Sequence, residues 1–281
     1  MVGRYSMQKI ATACFFVCMA TFVITCEVNG ENLSPCRIAY PSDDAVPWQK
    51  HTLKKRESLE SLFADRWQDV ARFNRIDRLH AQPGICLKIP LNLEDIEGFS
   101  PMPKELAYPG MAGVRKYILI DLSEQFLGAY EEGALIFSFP ITSGKSGFTT
   151  PPGNFQITAF SRNHVSSLYR MEEKDVPYPM HYGLRFLTDN DGIEYWIHGR
   201  DLPGYPASHG CVGLYDEEMQ HEYYGNPEYP LANAAQKLFQ WAIAPRNDDG
   251  ELHGLKNGPN VLIIGEPPGG FGTFSNPAPG P

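Results

Sequence analysis

Residues 195–214 read Y-W-I-H-G-R-D-L-P-G-Y-P-A-S-H-G-C-V-G-L and bring one cysteine, two histidines and four glycines together in twenty positions. Any fold for this chain must carry that Pro/Gly-rich stretch with its histidines within reach of its cysteine. Cys211 stands between Gly210 and Val212, two residues after His209 and thirteen after His198. A cysteine does acyl-transfer chemistry as a thiolate, and an ordinary thiol at neutral pH is mostly protonated. A nearby imidazole is the side chain best suited to take that proton near pH 7. Gly210 leaves the backbone free to turn tightly and lets a substrate carbonyl approach the amide N–H groups around Cys211. Nucleophile, base and oxyanion donors thus lie within one short segment. Two plainer readings stay open on chemistry alone. A lone cysteine beside apolar residues is usually a small buried hydrophobe. A Cys/His cluster can also hold zinc, although no C-x-x-C or H-x-x-x-H accompanies this one. The expectation is no metal and no organic cofactor.

With these residues in view, the segment resembles the signature of the L,D-transpeptidase catalytic domain, the YkuD-like family. The matching pieces are S-H-G-C-V at 208–212 and, before it, I-H-G at 197–199. The resemblance spans residues 115–265. By position it implies Cys211 as the nucleophile, His198 as its base, and the Gly199 carbonyl orienting that ring. His209 and Ser208 belong to the second half of the motif and shape the site. The amides of Gly210 and Cys211 would line an oxyanion hole, and Arg200, Ser208 and Tyr182 would contact substrate. The chain departs from the family in two places. The interval between His198 and Ser208 is short, so the loop over the site is trimmed. Gly213 stands where many relatives carry Arg or Asn, so the contact that side chain would make is expected to be missing.

Composition narrows the partners. The chain of 281 residues has a formal charge of −9 and a hydrophobic content of 42%. That is enough apolar material for a packed core, and the acidic balance argues against binding nucleic acid. Residues 1–26 read as an export segment, with Arg4 and Lys9 ahead of an uncharged apolar run at 10–25. It is short for a membrane span. It reads as a cleaved signal peptide or, through V-I-T-C at 23–26, a lipoprotein signal on Cys26; the lipidated or uncleaved form would anchor the N-terminus to a membrane. Export places the chain in the periplasm or cell envelope. There Cys36, Cys86 and Cys211 remain, an odd count. Pairing Cys36 with Cys86 would leave Cys211 free, and the alternative is three reduced thiols.

Residues 37–100 read as a separate unit, strand, helix, helix, strand. Ser58 is the expected cap of a helix carrying Leu59, Leu62 and Phe63. A second helix is expected at 69–74, and a turn at Pro83-Gly84 leads into a strand ending at Pro90. The order is similar to a LysM module, with Arg56-Glu57 in place of the usual Gly-Asp; the resemblance implies binding to the glycan of peptidoglycan. Residues 101–113, rich in Pro and Gly, are the expected linker.

Residues 114–266 read as mainly β, the sandwich or barrel with few helices that the L,D-transpeptidase resemblance implies. Strands are expected at 115–122, 126–130 and 135–140, with a hairpin turn at 131–133. The T-P-P-G loop at 150–153 borders the cleft by resemblance, as does the segment 179–186 with His181 and Tyr182. On residue type alone, His181 is a half-buried strand histidine. A helix over 231–241, a last core strand at 260–265 and a disordered tail at 267–281 complete the chain. The resemblance implies attack by Cys211 on the third residue of a peptidoglycan stem tetrapeptide, loss of the terminal D-Ala, and cross-linking of the thioester by an amine. Water as acceptor gives an L,D-carboxypeptidase. A non-catalytic peptidoglycan-binding protein is the reading from a different class.

Overall fold

Among the described residues, Ser58 begins the first α-helix through a reciprocal cap. Its hydroxyl accepts from the Ser61 N–H at 3.2 Å, and the Ser61 hydroxyl accepts from the Ser58 N–H at 2.8 Å. The computed structural model describes residues 33–106, 114–171, 175–225 and 233–269. The expected leader at 1–26, residues 107–113 of the linker, the first residues of the 231–241 helix and residues 270–281 of the tail lie outside them.

Strand β1 (Trp48–Thr52) pairs antiparallel with β2 (Cys86–Pro90), and α1 (Leu59–Phe63) and α2 (Trp67–Phe73) lie between them in sequence. Leu53, Leu59, Val70, Phe73, Leu87 and Ile96 give this unit a core of its own. A disulfide joins Cys36 to Cys86, with Cα atoms 5.5 Å apart, and fastens the N-terminal arm to β2. Arg75 is fully buried. Its guanidinium lies 3.5 Å from Asp43 and 3.2 Å from Glu124, and Lys88 also pairs with Asp43. The Tyr40 ring packs 4.0 Å from that guanidinium. Residues 104–106 then dock on the sheet described next, where Glu105 bridges Ala134 and the Leu106 N–H donates to Gly133.

The larger part is β-rich. Its strands are β3 (Lys116–Asp121), β4 (Phe126–Glu131), β5 (Ala134–Thr142), β6 (Gly153–Gln156), β7 (Ala159–Ser161), β8 (Val165–Met171), β9 (Val176–Pro179), β10 (Gly183–Thr188), β11 (Glu194–Arg200), β12 (Val212–Tyr215), β13 (His253–Gly254) and β14 (Asn260–Ile264). Among the described residues, ten of them form one curled sheet in the order β13-β7-β10-β11-β12-β5-β4-β3-β14-β6, and β8 and β9 form a separate hairpin. Ile118, Ile120, Leu127, Ile141, Leu184, Ile197, Val212 and Val261 point into its core. The helix α4 (Ala234–Ile243) closes that core with Ala235, Leu238, Phe239 and Ala242.

Two features differ from the sequence expectation. The segment 179–186 is broken by a turn, because Tyr182 takes a positive φ of 57° between β9 and β10. A helix α3 (Glu217–Tyr224) follows β12 directly. Asp216 caps it, accepting from the N–H groups of Glu218 and Met219 at 3.0 and 3.3 Å, and Gly225 ends it at φ +68°.

Candidate active site

β11 and β12 run parallel with Ile197 opposite Val212 and His198 opposite Gly213. Side chains alternate across a sheet. Ile197, Val212 and Leu214 go into the core, so His198, Arg200, Cys211 and Gly213 share the opposite face. His198 and Cys211 are thereby diagonal neighbours on adjacent strands.

His198 is only 3% exposed, and its Nδ1 lies 2.7 Å from the Gly199 carbonyl oxygen. A carbonyl only accepts, so Nδ1 carries the proton and Nε2 keeps its lone pair. Burial pushes the imidazole pKa down to about 3, against the pull of that hydrogen bond. The ring is neutral at physiological pH. Cys211 is the free cysteine among the described residues. Burial raises its thiol pKa, opposed by the Trp196 backbone N–H and the charge of Arg200. The resting pair is a neutral thiol and a neutral imidazole.

The turn before Cys211 requires glycine. Gly210 has φ +114°, and a Cβ there would stand 2.8 Å from the Tyr195 ring. Thr150 of the T-P-P-G loop braces the turn, donating to the Gly210 carbonyl at 2.9 Å and accepting from the Gly144 N–H at 2.9 Å. Ser208 is fully buried. Its hydroxyl donates to the Cys211 carbonyl at 2.5 Å and accepts from the Gly210 N–H at 3.1 Å. Ser208 therefore closes the turn and has no face left for substrate. The Gly210 amide, expected in the oxyanion hole, is already engaged by Ser208, so an oxyanion would have to displace that hydroxyl.

Tyr182 is likewise engaged within the fold. It is 4% exposed, packs against Phe239, and gives its hydroxyl to Glu218 at 2.7 Å. The positive φ turns it inward. His181 beside it backs β11. Its carbonyl accepts the Gly199 N–H at 2.7 Å, and its Nδ1 lies 2.8 Å from Asp216. Burial lowers the His181 pKa, but the hydrogen bond and charge of Asp216 outweigh it and the net shift is upward. His209 is held between two aromatic rings, stacked on Tyr169 at 4.3 Å and edge-on to Phe148 at 4.7 Å. Arg200 donates to the Ala207 carbonyl at 3.4 Å, lies 3.8 Å from Asp201, and sits 5.6 Å over the Tyr178 ring.

The sequence reading had no sign of what holds the loop 201–207. The Leu202 N–H donates to Asp77 at 2.7 Å, and the Asp77 N–H donates back to Leu202 at 2.8 Å. Tyr40 donates to the Gly204 carbonyl at 2.8 Å, and Ile76 bridges Pro203. His80 lies between Asp77, at 2.8 Å, and Asp201, at 3.4 Å. Among the described residues, no group of three His, Cys, Asp or Glu side chains is arranged to hold a metal ion.

A histidine pinned by its neighbour's carbonyl thus shares one sheet face with a free cysteine behind S-H-G. Residues 115–242 match the YkuD family model, the L,D-transpeptidase catalytic domain. The L,D-transpeptidase match runs from the start of β3 into α4 and includes both histidines and Cys211. Among solved structures, the chain is similar to an L,D-transpeptidase (Yku) from Stackebrandtia nassauensis, at 19% identity and a TM-score of 0.38, over 73% of this chain and 69% of that one. It is similar to L,D-transpeptidase residues 123–326 from Xylanimonas cellulosilytica at 20% identity and a TM-score of 0.39, over 77% and 97%. Mycobacterium tuberculosis L,D-transpeptidase 1 aligns at 16% identity and a TM-score of 0.34, over 54% and 62%. No curated protein sequence matches the chain.

Proposed function

We propose that the protein is an exported cysteine L,D-transpeptidase that cross-links peptidoglycan stem peptides. The observation that carries this reading is the His198 ring, fixed at Nδ1 by Gly199 on the sheet face it shares with Cys211, so that the Nε2 lone pair is not used in that bond. Because thiol and imidazole rest neutral, the proton moves as the bond forms. Cys211 Sγ attacks the carbonyl of the third stem residue while His198 Nε2 takes the thiol proton. The same nitrogen returns that proton to the leaving amine of the terminal D-Ala, and a thioester remains. An amine of a neighbouring stem then attacks the thioester, giving its proton to His198, and the thiol is regenerated. Water in place of the amine gives the L,D-carboxypeptidase reaction. Backbone N–H donors at the oxyanion are each worth roughly 3 kcal/mol of barrier in such sites.

Residues 37–100 would hold the enzyme on its substrate as a LysM-like glycan-binding unit. Their strand, helix, helix, strand order supports that role. Retention of the full chain on purified sacculi, lost on prior digestion of the glycan, checks it. The transpeptidase reading is tested by intact-protein mass spectrometry after incubation with a carbapenem. An acyl adduct on the wild type that is absent from Cys211→Ala is the expected result. No adduct on folded wild type, together with no turnover of a stem tetrapeptide, would sink it.

A further inference from the structure

Gly213 was expected to leave a contact missing, but its side-chain space is filled from the neighbouring strand. A Cβ built at Gly213 would lie 2.7 Å from Arg200 Cδ, 2.8 Å from Arg200 Cβ and 2.8 Å from Thr142 Cγ2. Contacts that short force something to move, so any larger residue at 213 would displace the Arg200 stem. The register explains the meeting. His198 is opposite Gly213, and Arg200, the next residue on the same face of β11, is opposite Tyr215, with its stem leaning back over Gly213.

The guanidinium lies there with few partners. A guanidinium has five N–H donors. Among the described residues, Arg200 makes one long hydrogen bond, from Nη2 to Ala207 O at 3.4 Å. Its Nε is buried without a hydrogen-bond partner, and the one nearby carboxylate, Asp201, is 3.8 Å from it. Asp201 already accepts the Tyr178 hydroxyl at 2.8 Å. The side chain is 17% exposed, so its unengaged donors can be reached by a ligand. Its charge also acts on Cys211, His198 and His209.

We propose that Arg200 recognises the acyl donor through a carboxylate of the peptide next to the scissile bond, and that Gly213 is glycine because the Arg200 stem occupies its place. This rests on the transpeptidase reading and names the feature of the donor that the site selects: an anionic peptide over its amidated form. A planar fork suits a carboxylate bidentately, and a lysine ammonium does so less well.

The test measures kcat and KM for a tetrapeptide donor with free carboxylates and for the same peptide amidated, with the full-length wild type, R200Q, R200K and G213A. With the free donor, R200Q lowers kcat/KM roughly 10- to 100-fold, mainly through KM, the size expected for a lost hydrogen bond to a charged group. Amidation costs the wild type a similar factor, and the two losses do not add. G213A, which keeps the charge but pushes it aside, loses in the same direction, and R200K falls between wild type and R200Q. Losses that multiply, with R200Q equally impaired on both donors, overturn the proposal and leave the transpeptidase reading standing. A wild type that turns over neither donor and takes no carbapenem overturns both.

Discussion

Two buried sets of ionisable groups adjoin the loop 201–207, and they are built on opposite rules. On the N-terminal side, Arg75 and Lys88 are buried against Asp43 and Glu124. Burial lowers both cations, Lys88 to about 8, and the carboxylates oppose that shift. On the site side, His198 is buried and Cys211 partly so, neither has a carboxylate partner among the described residues, and both rest neutral. Paired charges fix a backbone, because removing one member strands the other in a low dielectric. Neutral groups leave a proton free to move between them when a substrate arrives. The same physical cost of burying charge thus yields a rivet in one place and a neutral pair in the other.

That contrast breaks if His198 can be removed cheaply. His198→Asn is expected to slow carbapenem acylation of Cys211 by about 10³-fold, within the range for a lost general base, with the melting temperature unchanged. A loss under tenfold would mean another group takes the thiol proton. Arg75→Ala should do the reverse. It should cost about 3–5 kcal/mol in urea unfolding, the penalty for an uncompensated buried charge, and reach activity only through stability. The disulfide is a second rivet on the same side; replacing both Cys36 and Cys86 by serine should cost about 2–4 kcal/mol. Rates of Cys211 alkylation by iodoacetamide against pH sharpen the other half. The inflection should lie above the value of a free cysteine, about 8.5, because burial favours the thiol. An inflection well below it would indicate a thiolate–imidazolium pair at rest.

The smallest expected effect concerns His80, which lies between the carboxylates of Asp77 and Asp201. Burial pulls its pKa down, but the hydrogen bond to Asp77 and the two negative charges win, and the net shift is upward. A raised folded-state pKa adds stability that is fully present below the unfolded value, about 6.5, and fades as pH rises through the folded value. Unfolding midpoints measured from pH 5.5 to 8.5 should show that decline in the wild type. His80→Gln should flatten it.

Local signals made much of this legible. Strand patterning located β3, β4 and β5, an apolar run located β14, the Ser58 cap located α1, the motif spacing drew attention to His198 and Cys211, and the resemblance pointed to Gly199. What could not be read depends on direction or distance. Tyr182 and Ser208 lie in segments flanking the site, yet a positive φ turns one inward and a tight turn consumes the hydroxyl of the other. Asp216 carries a visible cap signal ahead of Glu217 and Glu218, but nothing local says that its second oxygen meets His181. The Asp77–Leu202 pairing joins residues 125 apart in sequence, and no periodicity reports such a contact.

That pairing bears on how such a chain can be inherited. Asp77 spends one carboxylate oxygen on the Leu202 amide and Gln220, and the other on His80. A recombination that exchanged residues 33–106 for an unrelated segment would leave the Leu202 amide and the Gly204 carbonyl without their present partners and Asp201 without His80. The two stretches are joined as one structural unit. A lineage that alters Asp77 is expected to carry compensating changes at 201–204, and a crossover placed between them is expected to be purged.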